Sequence, residues 1–192
     1  LSLDVSAPYL QQKDKLIENT SLHIATNDEG QSASLCAVTN VPTKNGAMNL
    51  NLQCNAANNR LDTQVAWHID RKRLYQGNID LSALFTKDEE NESLATQIDI
   101  NPSKMTFNDT TWTVNPATII ANKDKVIVQN FDVRRENQYV TMQGTASQDP
   151  EDVLTLNLLN VNLDYIFESL GIDKAQLGGD ATGTFYATNL FT

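Results

Sequence analysis

The heptapeptide Met48-Asn49-Leu50-Asn51-Leu52-Gln53-Cys54 contains the pattern that decides the fold. Every second residue, from Met48 to Cys54, is apolar, and each residue between them carries an amide. Because successive side chains of a β-strand point to opposite faces, the heptapeptide predicts a strand with one apolar and one polar face. Strands with one wet face are typical of antiparallel or coiled sheets rather than of parallel sheets covered on both sides.

The same alternation recurs along the chain, in residues 61–69, 94–100, 126–128, 140–142 and 154–158. Turn signals separate these runs, at residues 27–30, 44–46, 58–59, 101–102, 115–116, 122–124 and 149–152. The chain contains 21 Asn, a residue that tolerates the left-handed conformations of tight turns. We therefore predict an all-β fold with about a dozen short strands, about five to eight residues each.

Two segments have helical features, so one or two short helices are expected beside the sheet. In residues 162–170, Asn162 can cap a helix and Gly171 can end it. One face of this helix would carry Leu163, Ile166, Phe167 and Leu170. A weaker candidate covers residues 8–17. Helices of two or three turns need tertiary packing, so each is expected to lie against the sheet.

The charge of the chain argues against nucleic acid as a partner. The net charge is −10, and the 14 basic residues are scattered along the chain, whereas binding to phosphates needs clustered Lys and Arg. No stretch approaches the roughly 18 apolar residues of a membrane-spanning helix. No signal peptide is recognisable either.

No catalytic motif is recognisable in the sequence. The two histidines, His23 and His68, both lie in alternating segments, where an outward-facing strand position is the default interpretation. The acidic run at residues 88–92 lacks the ligand spacing and the glycine of a calcium loop. We predict a protein that is not an enzyme and that binds no metal or cofactor.

The two cysteines, Cys36 and Cys54, each lie in an apolar alternating segment. Small buried hydrophobic side chains are one interpretation. If neighbouring strands placed the two cysteines face to face in an oxidising compartment, a disulfide would be the other.

Several segments of the chain form distinctive motifs of strands and turns. In the C-terminal half they are Ile100-Asn101-Pro102-Ser103, residues 107–116, Asn130-Phe131, Gln138-Tyr139-Val140, residues 144–147, residues 149–152, residues 161–167 and residues 177–186. In the N-terminal half they are residues 45–50 and Asn59-Arg60-Leu61, near Trp67. In these segments the chain resembles the TamB family, the inner-membrane subunit of the translocation and assembly module, and especially the long TamB-type proteins of Bacteroides and its relatives.

The resemblance implies a long periplasmic rod of β-structure in a Gram-negative bacterium, held by an N-terminal inner-membrane anchor outside this chain. Members of the family are thought to form an elongated, taco-like folded sheet with an apolar concave face. The resemblance therefore implies an elongated, curled sheet for this chain. The family is linked to the insertion of outer-membrane proteins with an Omp85-type partner, and to phospholipid passage between the membranes. Phospholipid or a nascent outer-membrane protein is therefore the expected cargo.

Both ends of the chain fall within an alternating pattern, so residues 1–192 are expected to be a single β-rich segment of such a rod, with a sub-boundary near residues 86–93. The expected groove lining is Met48, Leu50, Leu52, Val65, Trp67, Ile98, Ile100, Val140, Met142, Leu154, Leu156 and Leu158.

Two other functions fit the same periodicity. A closed β-sandwich would bury these side chains in a sealed core, and it could bind glycans through Trp67 or Trp112. A hydrolase using a pair of carboxylates is the third hypothesis.

Overall fold

A computed structural model of the protein describes residues 1–12, 15–27, 29–43, 46–69, 74–87, 93–162 and 179–190. These residues form fourteen strands and no helix. The strands are β1 (Ser2–Gln12), β2 (Lys15–Thr26), β3 (Ser32–Thr43), β4 (Gly46–Ala57), β5 (Arg60–Ile69), β6 (Tyr75–Lys87), β7 (Leu94–Ile100), β8 (Ser103–Phe107), β9 (Thr110–Val114), β10 (Ala117–Ala121), β11 (Lys125–Arg135), β12 (Gln138–Ser147), β13 (Leu154–Asn162) and β14 (Asp180–Ala187).

All fourteen strands belong to one antiparallel sheet, which confirms the predicted all-β class. The hydrogen-bonded order follows the chain from β1 to β7, continues through β10 to β13 and ends at β14. Within the described residues, β1 and β14 form the two edges of this sheet. The sheet passes without a break from β6 to β7, where residues 81–87 pair with residues 94–100.

Strands β7 to β10 form one long hairpin, in which β7 and β8 are one arm and β9 and β10 are the other. Strand β7 and then β8 pair along β6, while β9 and β10 pair back onto β8 and β7. The dipeptides Asn101-Pro102 and Asn115-Pro116 lie opposite one another and interrupt the two arms. This position suits proline, which cannot donate a hydrogen bond to a regular ladder.

A neighbouring aspartate holds each Asn-Pro interruption in the sheet. The backbone N–H of Asn101 donates to the carbonyl of Asp80 at 2.8 Å, and its side-chain amide donates to the Asp80 carboxylate at 3.2 Å. Asn115 repeats both bonds with Asp132, at 2.8 and 2.9 Å. Because the aspartates replace the missing ladder bonds, the sheet continues through both breaks.

Three further irregularities are β-bulges, at each of which the pairing register shifts within a strand. Each contains an Asn in the left-handed region, namely Asn19 (φ 50°), Asn130 (φ 57°) and Asn160 (φ 49°). An extra residue would turn the following side chains to the wrong face of the sheet. A left-handed residue at a bulge absorbs it and bends the strand, so the apolar residues stay on one side.

The predicted turns at residues 58–59 and 122–124 are confirmed, since each joins two paired strands. The predicted strand length is wrong for the longest strands, which have 10 to 13 residues. The Asn-Pro dipeptides read from the sequence as turns are interruptions inside one hairpin. Proline and asparagine signal a break in regular pairing, and local sequence does not show whether the chain reverses there.

The helix predicted over residues 8–17 is wrong, because residues 8–12 belong to β1 and residues 15–17 to β2. Ten residue pairs join the two strands, from Ser2–Ala25 to Gln12–Lys15. Long-range pairing outweighs the weak local preference here. Of the helix predicted over residues 162–170, only Asn162 lies within the described residues, at the end of β13.

Candidate functional site

The candidate site is the apolar face of the sheet, which can be followed from strand to strand because directly paired residues share a face. On β4 and β5, Met48 is paired with Ile69, Leu50 with Trp67, and Leu52 with Val65. Trp67 is in turn opposite Gly77 on β6. The alternation in the opening heptapeptide therefore extends sideways into three neighbouring strands.

The same face continues through the second half of the sheet. Ile98 and Ile100 of β7 pair with Ala83 and Leu81 of β6 on one side and with Ile119 and Ala117 of β10 on the other. On β12 and β13 the paired residues are Val140 with Leu158, Met142 with Leu156, and Gly144 with Leu154. All twelve residues predicted to line a groove lie on this one face, which we call the apolar face.

The apolar face also includes side chains that were absent from the predicted lining: Ile69, Tyr75, Ile79, Leu81, Phe107, Val114, Ile119, Val128, Phe131, Val133 and Phe185. Many belong to short strands or to strands with a bulge, where the alternation lasts only two or three residues. For Val114, the sequence offered a signal in the alternation of residues 110–114 around Trp112.

Four aromatic side chains lie near one rim of the sheet. At this rim β5 and β8 end and β6 and β9 begin. The rings of Tyr75 and Phe107 meet edge to face, with centroids 4.9 Å apart. The Trp67 ring covers Gly77, and Trp112 pairs with Met105 of β8. Aromatic pairs of this geometry add about 0.5–1.5 kcal/mol beyond the area that they bury.

Burial on the apolar face is uneven. Between β5 and β13 the face includes buried side chains, with Ile69 at 3% exposed, Trp112 at 6% and Leu158 at 8%. Towards the two edges the face is open, with Leu3 at 50% and Phe185 at 55%. The described strands form one sheet, with no second sheet that could cover its apolar side chains. Burial of these side chains is therefore expected if the sheet curls with its apolar side inward.

Few charged groups lie on the apolar face. From β3 to β14 its described part has no carboxylate, and its only cations, Lys87 and Arg135, lie at strand ends. The opposite face, which we call the polar face, carries amides, hydroxyls and carboxylates. There the Thr118 hydroxyl donates to Asp99 at 2.7 Å, and this bond together with one from Gln97 lowers the pKa of the Asp99 carboxyl.

Both histidines are exposed, as predicted, and lie on the polar face, where His68 is flanked by Asn49 and Gln76. The described residues contain no cluster of side chains suited to a metal ion. They also contain no helix that is long and apolar enough to cross a membrane. A polar depression of about 500 Å³ lies between the tips of the β8–β9 and β11–β12 hairpins and is lined by threonines, Arg134 and Arg135.

The disulfide that was one of the two interpretations of Cys36 and Cys54 is not formed. Cys36 is paired with Gln53 and Cys54 with Leu35, so the two thiols lie on opposite faces of adjacent strands. Trp67 and Trp112, each suggested as a residue that could stack on a sugar, both lie on the apolar face.

We compared the chain with protein-family models, with curated proteins and with solved structures, and no significant match was found.

Proposed function

We propose that this chain is a non-enzymatic segment of a TamB-like protein, anchored in the inner membrane, and that its apolar face carries acyl chains of phospholipid across the periplasm. Nascent outer-membrane protein is the other cargo that this surface would suit. The observation that carries the proposal is the continuous apolar face, which has no carboxylate from β3 to β14 in its described part.

The dimensions of the sheet support a lipid cargo. A strand of 12 residues such as β4 spans about 40 Å at roughly 3.3 Å per residue. Each methylene group of an acyl chain that leaves water for an apolar surface contributes about 0.8 kcal/mol. The exposed apolar side chains near β1 and β14 would offer such a surface. In the full-length protein, an Omp85-type outer-membrane protein would receive the cargo.

The test compares Leu156→Asp with Thr155→Asp, because these neighbours of β13 lie on opposite faces. A phospholipid with a photoactivatable acyl chain is the probe. A charge at Leu156 should reduce cross-linking at least several-fold, whereas a charge at Thr155 should leave it near the wild-type level, since acyl chains avoid a charged surface.

Circular dichroism spectra of both variants identify those that remain folded. Equal cross-linking by folded Leu156→Asp and Thr155→Asp proteins would contradict the proposal. If Leu156→Asp unfolds, Leu3→Asp offers the same test at an exposed position of the apolar face, where Leu3 pairs with Ile24. Ser2→Asp is the matched control for Leu3→Asp. Cross-linking reduced only in Leu3→Asp would support the proposal, and equal cross-linking of the two folded variants would contradict it.

A further inference from the structure

A row of three chemically active side chains crosses the polar face near the β1 edge. Asp4 of β1 is directly opposite His23 of β2, and His23 is directly opposite Cys36 of β3. The carboxylate of Asp4 lies 2.6 Å from Nδ1 of His23. The proposed lipid function uses none of these side chains, because they lie on the face away from the apolar residues.

The hydrogen bond to Asp4 determines the tautomer of the neutral His23 ring. A carboxylate can only accept a hydrogen bond, so Nδ1 carries the proton and Nε2 has the lone pair. Paired residues of antiparallel strands have Cβ atoms about 4.5–5.5 Å apart. Although no hydrogen bond joins Cys36 to His23 in this structure, rotation of the two side chains can bring Sγ and Nε2 together, and such contacts often form only with the reagent bound.

In this row His23 and Asp4 are accessible and Cys36 is partly exposed, and few charged groups lie nearby. The side chains of His23 and Asp4 are 50% and 75% exposed. The described polar-face neighbours are Ser2 and Ser6 on β1, Ser21 and Ala25 on β2, Ser34 and Val38 on β3, and Asn51, Gln53 and Asn55 on β4. Asp4 is thus the one charged group that faces His23 and Cys36 from these four strands.

We propose that Cys36 is a site of thiol–disulfide exchange, with His23 as the proton acceptor and Asp4 as the group that orients the imidazole. In the exchange, Sγ of Cys36 attacks one sulfur of a disulfide while its proton passes to Nε2 of His23. The disulfide bond of the reagent breaks, a mixed disulfide with Cys36 forms, and the second sulfur leaves as a thiolate. The ligand class is a small-molecule or protein disulfide that can approach the polar face.

Cys54 provides a matched control within the same chain. It lies on the neighbouring strand but on the apolar face, where its sulfur accepts a hydrogen bond from the Thr63 hydroxyl at 3.6 Å. No histidine faces Cys54, since its cross-strand neighbours are Leu35 and Thr63. Cys54→Ser therefore isolates the reaction of Cys36, and Cys36→Ser isolates that of Cys54.

The experiment measures the rate at which an aromatic disulfide, 5,5′-dithiobis(2-nitrobenzoate), releases its coloured thiolate at neutral pH. In the Cys54→Ser background, His23→Gln should slow the reaction of Cys36 by about tenfold, a fraction of the 10²- to 10⁴-fold effect of positioned general bases. Asp4→Asn should slow it less. His68→Gln, which changes the other polar-face histidine, should have no effect.

The same substitutions in the Cys36→Ser background show whether the fold has changed, because unfolding would expose Cys54 and raise its rate. A Cys36 rate that is the same in the His23→Gln and His68→Gln proteins would overturn the proposal. Faster reaction of Cys54 than of Cys36 in the folded protein would overturn it as well. If His23→Gln unfolds, Asp4→Asn replaces it in the comparison, because Asp4 is an exposed residue of the edge strand. A Cys36 rate that is the same in the Asp4→Asn and His68→Gln proteins would then overturn the proposal.

Discussion

At the scale of single residues, asparagine is the amino acid that shapes this sheet. Seven of the nine described non-glycine residues with positive φ are Asn. Two of them, Asn58 and Asn59, form the tight turn between β4 and β5, and Asn108 begins the turn between β8 and β9. Asn reaches the left-handed region at little cost because its short side chain can bond to nearby backbone.

A glycine on the apolar face gives the first prediction. A Cβ atom added to Gly77 would lie 2.4 Å from Cζ2 of Trp67. Gly77→Ala should therefore lower the free energy of unfolding by about 1–3 kcal/mol, the usual cost of overpacking. Urea denaturation measures this change.

Gly183→Ala is the matched control for Gly77→Ala. Gly183 also lies on a strand and on the apolar face, but the atom nearest to an added Cβ is in Phe185, 3.8 Å away. Its substitution should change the free energy of unfolding by less than about 1 kcal/mol. Equal losses of unfolding free energy in the two variants would show that the Trp67 ring does not crowd a side chain at position 77.

At the scale of elements, the bulges and the Asn-Pro breaks keep long strands in phase. Val128 and Phe131 both lie on the apolar face although they are three residues apart, because the bulge at Asn130 falls between them. Val114 and Ala117 are related in the same way across Asn115-Pro116. Without these extra residues the second half of each strand would present its polar side chains to the apolar face.

The bulge in β11 gives the second prediction. Asn130→Ala should lower the free energy of unfolding by about 1–2 kcal/mol, because alanine is strained in the left-handed region. Asn130→Gly should be better tolerated than Asn130→Ala. Urea denaturation compares the two variants with Asn51→Ala, which changes an Asn in the regular part of β4. If alanine and glycine at position 130 had the same effect, the left-handed backbone would not be the cause.

At the scale of the whole molecule, the neighbouring strands share one apolar face, which includes buried side chains from β5 to β13 and exposed ones on the edge strands β1 and β14. Such a surface suits a long apolar ligand more than a compact one, since it extends across many strands. The tryptophans report on different parts of it: Trp112 is 6% exposed, whereas Trp67 is only partly buried.

This difference between the tryptophans gives the third prediction. Phospholipid with brominated acyl chains should quench the fluorescence of Trp112→Phe, in which Trp67 remains, more than that of Trp67→Phe. Bromine quenches through contact, and Trp112 is shielded by protein. Unbrominated phospholipid with the same headgroup is the control. Lipid that binds without quenching Trp67 would show that it binds away from this part of the apolar face.

The sequence by itself determined the all-β class, the amphipathic strands and the side to which Met48, Leu50 and Leu52 point, because period-two alternation is a local property of the chain. Within the described residues it also marked the turns at residues 58–59, 122–124 and 149–152 through Asn, Asp and Pro. All twelve predicted lining residues lie on one face for the same reason. The TamB-like function stays a proposal.

Only the tertiary structure decided how the strands are joined. Pairing across strands shows that residues 8–17 are not a helix, that Asn101-Pro102 interrupts a hairpin without reversing it, and that Cys36 and Cys54 lie on opposite faces. It also brings Asp4, His23 and Cys36 into one row, although 32 positions separate the first from the last. Register depends on bulges and on contacts between distant segments, so the local pattern could not supply it.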